Sequence, residues 1–196
     1  MQDRIAAVTS VVFSPFLVLI PTVLVIAQKS ADVGQKRFLW ILIVVTCFTI
    51  LPALFIFVLF RMGYVSNLTL VSQEQRTVPT FFAIGTALAG VGALYAVSAP
   101  MELIWAGISY IANGAIFVAI TQIWKISFHS GVAAGCITLL MFLVHVQLGW
   151  LLLWLPLIGW ARVKRKRHTT VQTVVGALIA IITVSVVQLA KIGLRF

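Results

Sequence analysis

Stretches of about twenty apolar residues, each closed by a short polar interval, recur along this chain from residue 5 to residue 190. A helix needs about 20 such residues to cross the hydrocarbon core of a bilayer, and a crossing segment must satisfy its backbone hydrogen bonds internally. The pattern therefore restricts the chain to an all-α, polytopic transmembrane helical bundle. Charged residues make up 9% and hydrophobic residues 62% of the sequence, where soluble domains hold about 25% charged residues. No separate soluble domain is expected, and residues 1–196 read as a single transmembrane helical domain.

The first run, residues 5–28, contains Pro15 and Pro21 and is read as a retained span, because no small-residue cleavage site follows it. Residues 38–60 cross back with Pro52 in their second half, and residues 80–97 form the third span, opened by Pro79. Ser98, Ala99 and Pro100 break the chain before residues 101–124. The passage 131–160 is too long for one crossing, since thirty helical residues rise about 45 Å. A turn is expected at 145–149, dividing it into a bent pair in which Pro156 bends the second piece. Residues 169–190 supply the last span, giving seven crossings, or six if 131–160 is one tilted helix with a re-entrant piece.

With seven crossings, Arg76, Lys125, His129, Arg162 and His168 all fall at span ends on one face. Charge at membrane depth is costly and faces a bundle interior or a water-filled cavity, so these residues predict a cationic pocket holding two imidazoles. Such a pocket suits phosphate: arginine offers a fork of donors, lysine a point charge, and histidine a nucleophile or a general acid. The four carboxylates, Asp3, Asp32, Glu74 and Glu102, have no metal-ligand spacing, which argues against a two-metal phosphatase. Cys47 and Cys136 lie inside apolar runs and read as packing residues. His145 is expected at the opposite face.

Net charge is +10, yet no soluble module exists to present it to nucleic acid. Loop lysines and arginines instead set topology and meet anionic membrane lipids. Nine of the fourteen bases fall on the face of the pocket, including the Lys164 to Arg167 cluster. That face is therefore expected toward the cytoplasm, with the chain in a prokaryotic cytoplasmic membrane.

The segment Lys125-Ile126-Ser127-Phe128-His129, followed by Arg162, five residues and His168, resembles the signature of the type 2 phosphatidic acid phosphatase superfamily. Ser127 and His129 match its second motif, and Arg162 and His168 keep the spacing of its third. Arg76, with Pro79 nearby, matches the arginine of the first. Thr69, Ala161 and Gln172 stand where the family has lysine, serine and aspartate. The resemblance covers residues 73–176. It implies a metal-independent, cofactor-free hydrolase working through a phosphohistidine, with His168 as nucleophile and His129 as general acid. Arg162, Ser127 and Arg76 would hold the phosphoryl oxygens, Lys125 would supply the charge missing at Thr69, and Gln172 would orient His168. The expected substrate is a lipid phosphate: phosphatidic acid, phosphatidylglycerophosphate, or an isoprenyl phosphate or diphosphate. Two alternatives stay open: a phosphotransferase of the same fold, and a non-catalytic lipid-binding or transport protein with a decayed site.

Overall fold

A computed structural model of the chain describes residues 1–29, 34–68, 70 and 72–194, all helical or looped with no strand among them. Helix α1 spans Gln2–Val12 and α2 spans Pro15–Lys29. They meet at 49°, so the first apolar run is broken rather than merely kinked. Pro15 is the cause: its ring disfavours helical backbone at Ser14, and Ser14 Oγ accepts from the Leu17 amide at 3.3 Å to start the second helix. Pro21 rides inside α2.

Helix α3 (Gly34–Val45) continues into α4 (Leu51–Arg61) through a π-helical turn, Thr46–Ile50. A proline ring in an α-helix strikes the carbonyl four residues earlier, here that of Phe48. The wider turn before Pro52 relieves that clash while keeping Lys36–Arg61 one continuous span. Glu74–Arg76 forms a 3-10 turn into α5 (Thr77–Ala96). Ser98, at φ +52°, turns the chain into α6 (Met101–Thr121).

The passage 131–160 divides at Val144 and His145, at the start of the expected turn. Helix α7 is Phe128–Leu143, and after a 3-10 stretch, Val146–Trp154, α8 covers Leu155–Lys164. The last helix, α9, is Thr170–Gly193. Five helical segments are long and apolar enough to cross a membrane, and the bent α1–α2 pair is a sixth candidate. Large apolar side chains such as Phe81, Leu88, Ile182 and Leu189 face outward, as suits a surface solvated by lipid.

The interior centres on Phe48, Leu94, Leu103, Leu140 and Val184. A smaller cluster of Phe117, Ile126, Ala134, Ala177 and Ala180 lies beneath the functional end. Helix α9 runs along α7, α6 joins α5 to α9, and α1 rests on α8. Polar ties sit at the two ends of the bundle. Asp3 and Lys164 approach to 4.0 Å at one end, and Glu102 and Lys191 to 3.7 Å at the other. Lys29 Nζ donates to the Val144 carbonyl at that second end.

Two glycines set the α7–α9 distance. A Cβ on Gly176 would stand 2.8 Å from the Ser127 carbonyl oxygen, and one on Gly131 would stand 3.1 Å from the Gly176 carbonyl oxygen and 2.2 Å from Phe117 Cζ of α6. Without them the helices could not close enough for the Ser127 amide to donate to the Gln172 carbonyl at 3.3 Å. Gly176→Ala is therefore expected to destabilise the bundle by about 1–3 kcal/mol and to lower its melting temperature in detergent. Gly92→Ala, where an added Cβ meets nothing within 4 Å, is the control. Equal melting temperatures for the two variants would refute the packing role of Gly176.

Candidate functional site

Each side chain at the functional end is placed by the start or finish of a helix. Helix α8 stops at Lys164 with Lys166 in the left-handed region, at φ +52°. The Arg167 amide returns to the Arg162 carbonyl at 3.0 Å and the Lys166 amide to that of Val163 at 2.8 Å, a Schellman closure. This reversal carries the chain directly into His168 and the first residue of α9.

Thr169 then caps α9 in a reciprocal box: its Oγ1 accepts from the Gln172 amide at 3.3 Å, and Gln172 Oε1 accepts from the Thr169 amide at 3.1 Å. The same Oε1 lies 3.2 Å from His168 Nδ1. Because the Thr169 amide can only donate, the Gln172 atom facing it is oxygen, and His168 Nδ1 must carry the ring proton. The lone pair is left on Nε2. Gln172, expected to orient His168, thus fixes both its position and its tautomer.

Arg162 leaves the last turn of α8 almost fully buried, 2% exposed, and its Nε has no hydrogen-bond partner. Arg76 is also buried, but it is partly committed. Its Nε donates to the Leu70 carbonyl at 2.8 Å and its Nη1 to the Ile126 carbonyl at 2.9 Å, while the guanidinium lies 5.7 Å from the centre of the Phe128 ring. It fastens the 3-10 entry of α5 to the α6–α7 loop and keeps its remaining donors. His129 sits in the first turn of α7, with its ring against the backbone of Ser10.

These residues line one cavity of about 270 Å³: Arg76, His129, Arg162 and His168 at its polar end, joined by Arg165. No carboxylate lines it among the described residues. Asp3 is engaged with Lys164 and Glu102 belongs to the other end of the bundle. Three buried polar atoms without partners, Ser10 Oγ, Asn113 Oδ1 and Arg162 Nε, belong to residues of this lining. Buried polar groups are nearly always satisfied, and these three are half of the six unpartnered buried atoms among the described residues, which makes the cavity a candidate ligand position. Away from the charges the walls become apolar, with Pro52, Ile56, Ile84, Phe117 and Val132.

Two expected site residues are elsewhere. Ser127 is buried at the N-cap of α7, where its Oγ accepts from the Ser130 amide at 3.4 Å and pairs with Ser130 Oγ at 3.2 Å. It builds the helix that carries His129 and does not line the cavity. Lys125 also lies outside the lining, although its charge reaches His168. Thr69 falls outside the described residues. In the other direction, Ser10 and Asn113 line the cavity without having been singled out from the sequence. An amide in the middle of an apolar span was a readable signal for Asn113, while a serine in such a span carries none.

Burial pushes His168 from its ordinary value near 6.5 down to about 3, with Arg76, Arg162 and Lys125 acting the same way and the Gln172 hydrogen bond opposing them. Burial likewise lowers Lys125, helped by Arg76, Arg167 and Arg162. At neutral pH the ligand-free site therefore holds fixed guanidinium charge beside an unprotonated Nε2, an arrangement able to bind an anion and attack its central atom.

Comparison with models of known families, with curated proteins and with solved structures finds no match for this chain.

The His168 shift has a definite sign. An unfolded chain takes up a proton at this residue near pH 6.5 and the folded one only near 3, so His168 contributes a loss of stability as pH falls between those values. Nitrogen-15 NMR of labelled histidine should show His168 neutral at pH 5 with its proton on Nδ1, and Gln172→Leu should mix the two tautomers. Titration of His168 near 6.5 in the wild type would refute the assigned environment.

Proposed function

We propose that this protein is a membrane-embedded lipid phosphatase that hydrolyses a phosphomonoester or diphosphate through a phosphohistidine on His168. The observation that carries the reading is the cluster of buried Arg162 and Arg76 and half-buried Arg165 around two histidines, with no carboxylate in the lining among the described residues and Arg162 Nε unpartnered. The resemblance of residues 73–176 to the type 2 phosphatidic acid phosphatase superfamily, carried by the same Arg76, His129, Arg162 and His168, agrees with it. The apolar arm of the cavity is the reason for a lipid substrate: the phosphate meets the arginines while the chain lies against Ile56, Ile84 and Phe117.

In this mechanism His168 Nε2 attacks phosphorus as the ester P–O bond breaks, and His129 gives its proton to the departing alkoxide. The phosphate brings negative charge next to His129, and that charge favours the imidazolium needed for this transfer. Neutral His129 then takes a proton from water, whose oxygen attacks the phosphohistidine. The P–N bond breaks, His168 is restored, and inorganic phosphate leaves. Arg162 and the free donors of Arg76 stabilise the phosphoryl oxygens as charge shifts among them. No metal or cofactor takes part.

The bundle is read as seven crossings. Sixteen-residue α7 rises about 24 Å and is short because its first turn stands at the wet, charged end. The basic excess at that end favours a cytoplasm-facing site in a prokaryotic cytoplasmic membrane.

The test is phosphate release from a panel of lipid phosphates by the purified protein in EDTA. Activity should persist in EDTA, His168→Ala should abolish it, and His129→Ala should reduce it by about 10²–10⁴-fold. Wild-type activity in both variants would refute the mechanism, and complete loss in EDTA would replace it with a metal-dependent one. Transfer of phosphoryl to an added acceptor alcohol in preference to water would identify the phosphotransferase instead.

A further inference from the structure

Asn113 stands thirteen residues into α6, in the apolar depth of the bundle, and is 8% exposed. Its Oδ1 is buried without a partner. The other buried amide in the interior, Gln188, shows what satisfaction looks like here: its Nε2 donates to Ser109 Oγ at 2.9 Å and to the Trp105 carbonyl at 3.3 Å. Asn113 lines the large cavity and also a neighbouring one of about 40 Å³. An unpaired acceptor in so apolar a place has lost its hydration without replacement.

The depth of this amide is set by α7. A Cβ on Gly135 would stand 3.7 Å from Asn113 Nδ2, and Gly135 lies six residues beyond His129 on that helix, a rise of about 9 Å. A water at the large-cavity side would need two to four partners; Tyr110, one turn earlier on α6, lines the same cavity, but the remaining neighbours there, Ile84, Gly114, Phe117 and Val132, offer no side-chain partner. A hydroxyl carried on a lipid chain needs only the amide, because burial of the chain holds it in place. It can donate to Oδ1 or accept from Nδ2.

We propose that Asn113 is a specificity-determining residue of this cavity, binding a hydroxyl on the chain of a phosphorylated amphiphile about 9 Å from phosphorus. The inference rests on the phosphate-pocket reading above and narrows it. At about 1.1–1.2 Å of extension per bond, the hydroxyl lies about eight bonds from phosphorus. Phosphates whose chain bears such a hydroxyl are selected over plain hydrocarbon chains, isoprenyl chains included. The discrimination follows from the hydrogen bond that a hydroxylated chain gives to an amide left unpaired in the empty cavity and that a plain chain cannot give, and is expected at about tenfold or more.

The experiment compares two alkylphosphonates of equal length, one with a hydroxyl eight bonds from phosphorus and one without, for binding to the full-length protein in nanodiscs. Wild type should bind the hydroxylated probe at least about tenfold more tightly. Asn113→Leu and Asn113→Ala should lower that affinity to the level of the plain probe and leave the plain probe's affinity unchanged, while Asn113→Ser should retain part of the preference. Melting temperatures identify any variant that fails to fold, and the alanine and serine variants keep the comparison available if leucine does not fit. Equal binding of both probes by wild type, with both lost in Arg162→Ala, would overturn the role of Asn113 and leave the phosphate pocket standing. A preference that survives in Asn113→Ala would also overturn it. Failure of both phosphonates to bind wild type would refute the pocket reading and this inference together.

Discussion

A guanidinium buried at the end of an apolar bundle needs a counter-charge, and among the described residues Arg162 has none. Taking such a group out of water carries a penalty of several kcal/mol unless charge or hydrogen bonds replace the lost hydration. Arg76 recovers part of its loss from the Leu70 and Ile126 carbonyls. Arg162 Nε recovers nothing from the protein, while three of the four acids lie at other positions among the described residues: Asp3 on Lys164, Glu102 on Lys191, and Glu74 exposed. The fold therefore holds an electrostatic debt at one point, and an anion is the natural partner that settles it. The same unbalanced charge, together with burial, keeps His168 unprotonated.

Holding that charge in place falls to backbone contacts, because no carboxylate among the described residues does it. Gly176 and Gly131 let α7 and α9 approach until Ser127 can hydrogen-bond to Gln172. This joins the cap carrying His129 to the cap carrying His168. Arg76 then ties the α5 entry to the loop before α7, and the Schellman turn at Lys166 brings Arg162 and His168 to the same cavity. Each element is small, but together they make one rigid floor from four helix ends. Precision of this kind is what the proposed reaction at a single phosphorus atom would demand.

Much of this was legible in the chain itself because membranes make the code simple. Run length marks the spans, and a charge or histidine at a span end stands out against an oily background. The meeting of Arg76, His129, Arg162 and His168 follows from span parity and five-residue spacing, both readable without coordinates. Other features were not readable. The bend at Ser14 and the π turn before Pro52 depend on how each proline's clash is relieved, which the residue alone does not decide. Ser127 was placed on the phosphate by motif position, yet its hydroxyl was needed by the amides of α7. Serine is both a ligand and a cap, and only the local backbone decides which. Asn113 was visible as a polar residue in a span, but whether it had a partner depended on α7 and α9.

Glutamine at position 172 gives the site its particular balance. An aspartate there would accept the same Nδ1 proton, stabilise a cationic ring and cancel part of the charge of Arg76 and Arg162. Glutamine keeps the hydrogen bond, and with it the tautomer, but adds no charge. Attack by Nε2 while Nδ1 holds its proton leaves positive charge on the imidazole, and a neutral partner stabilises that charge by its dipole alone. The uncancelled arginines, in turn, attract a phosphate more strongly than a neutralised pocket would. In the proposed reaction, charge compensation for the phosphohistidine would thus come from the phosphoryl oxygens themselves, and a ring that stays neutral without ligand would become able to carry charge once the anion is bound.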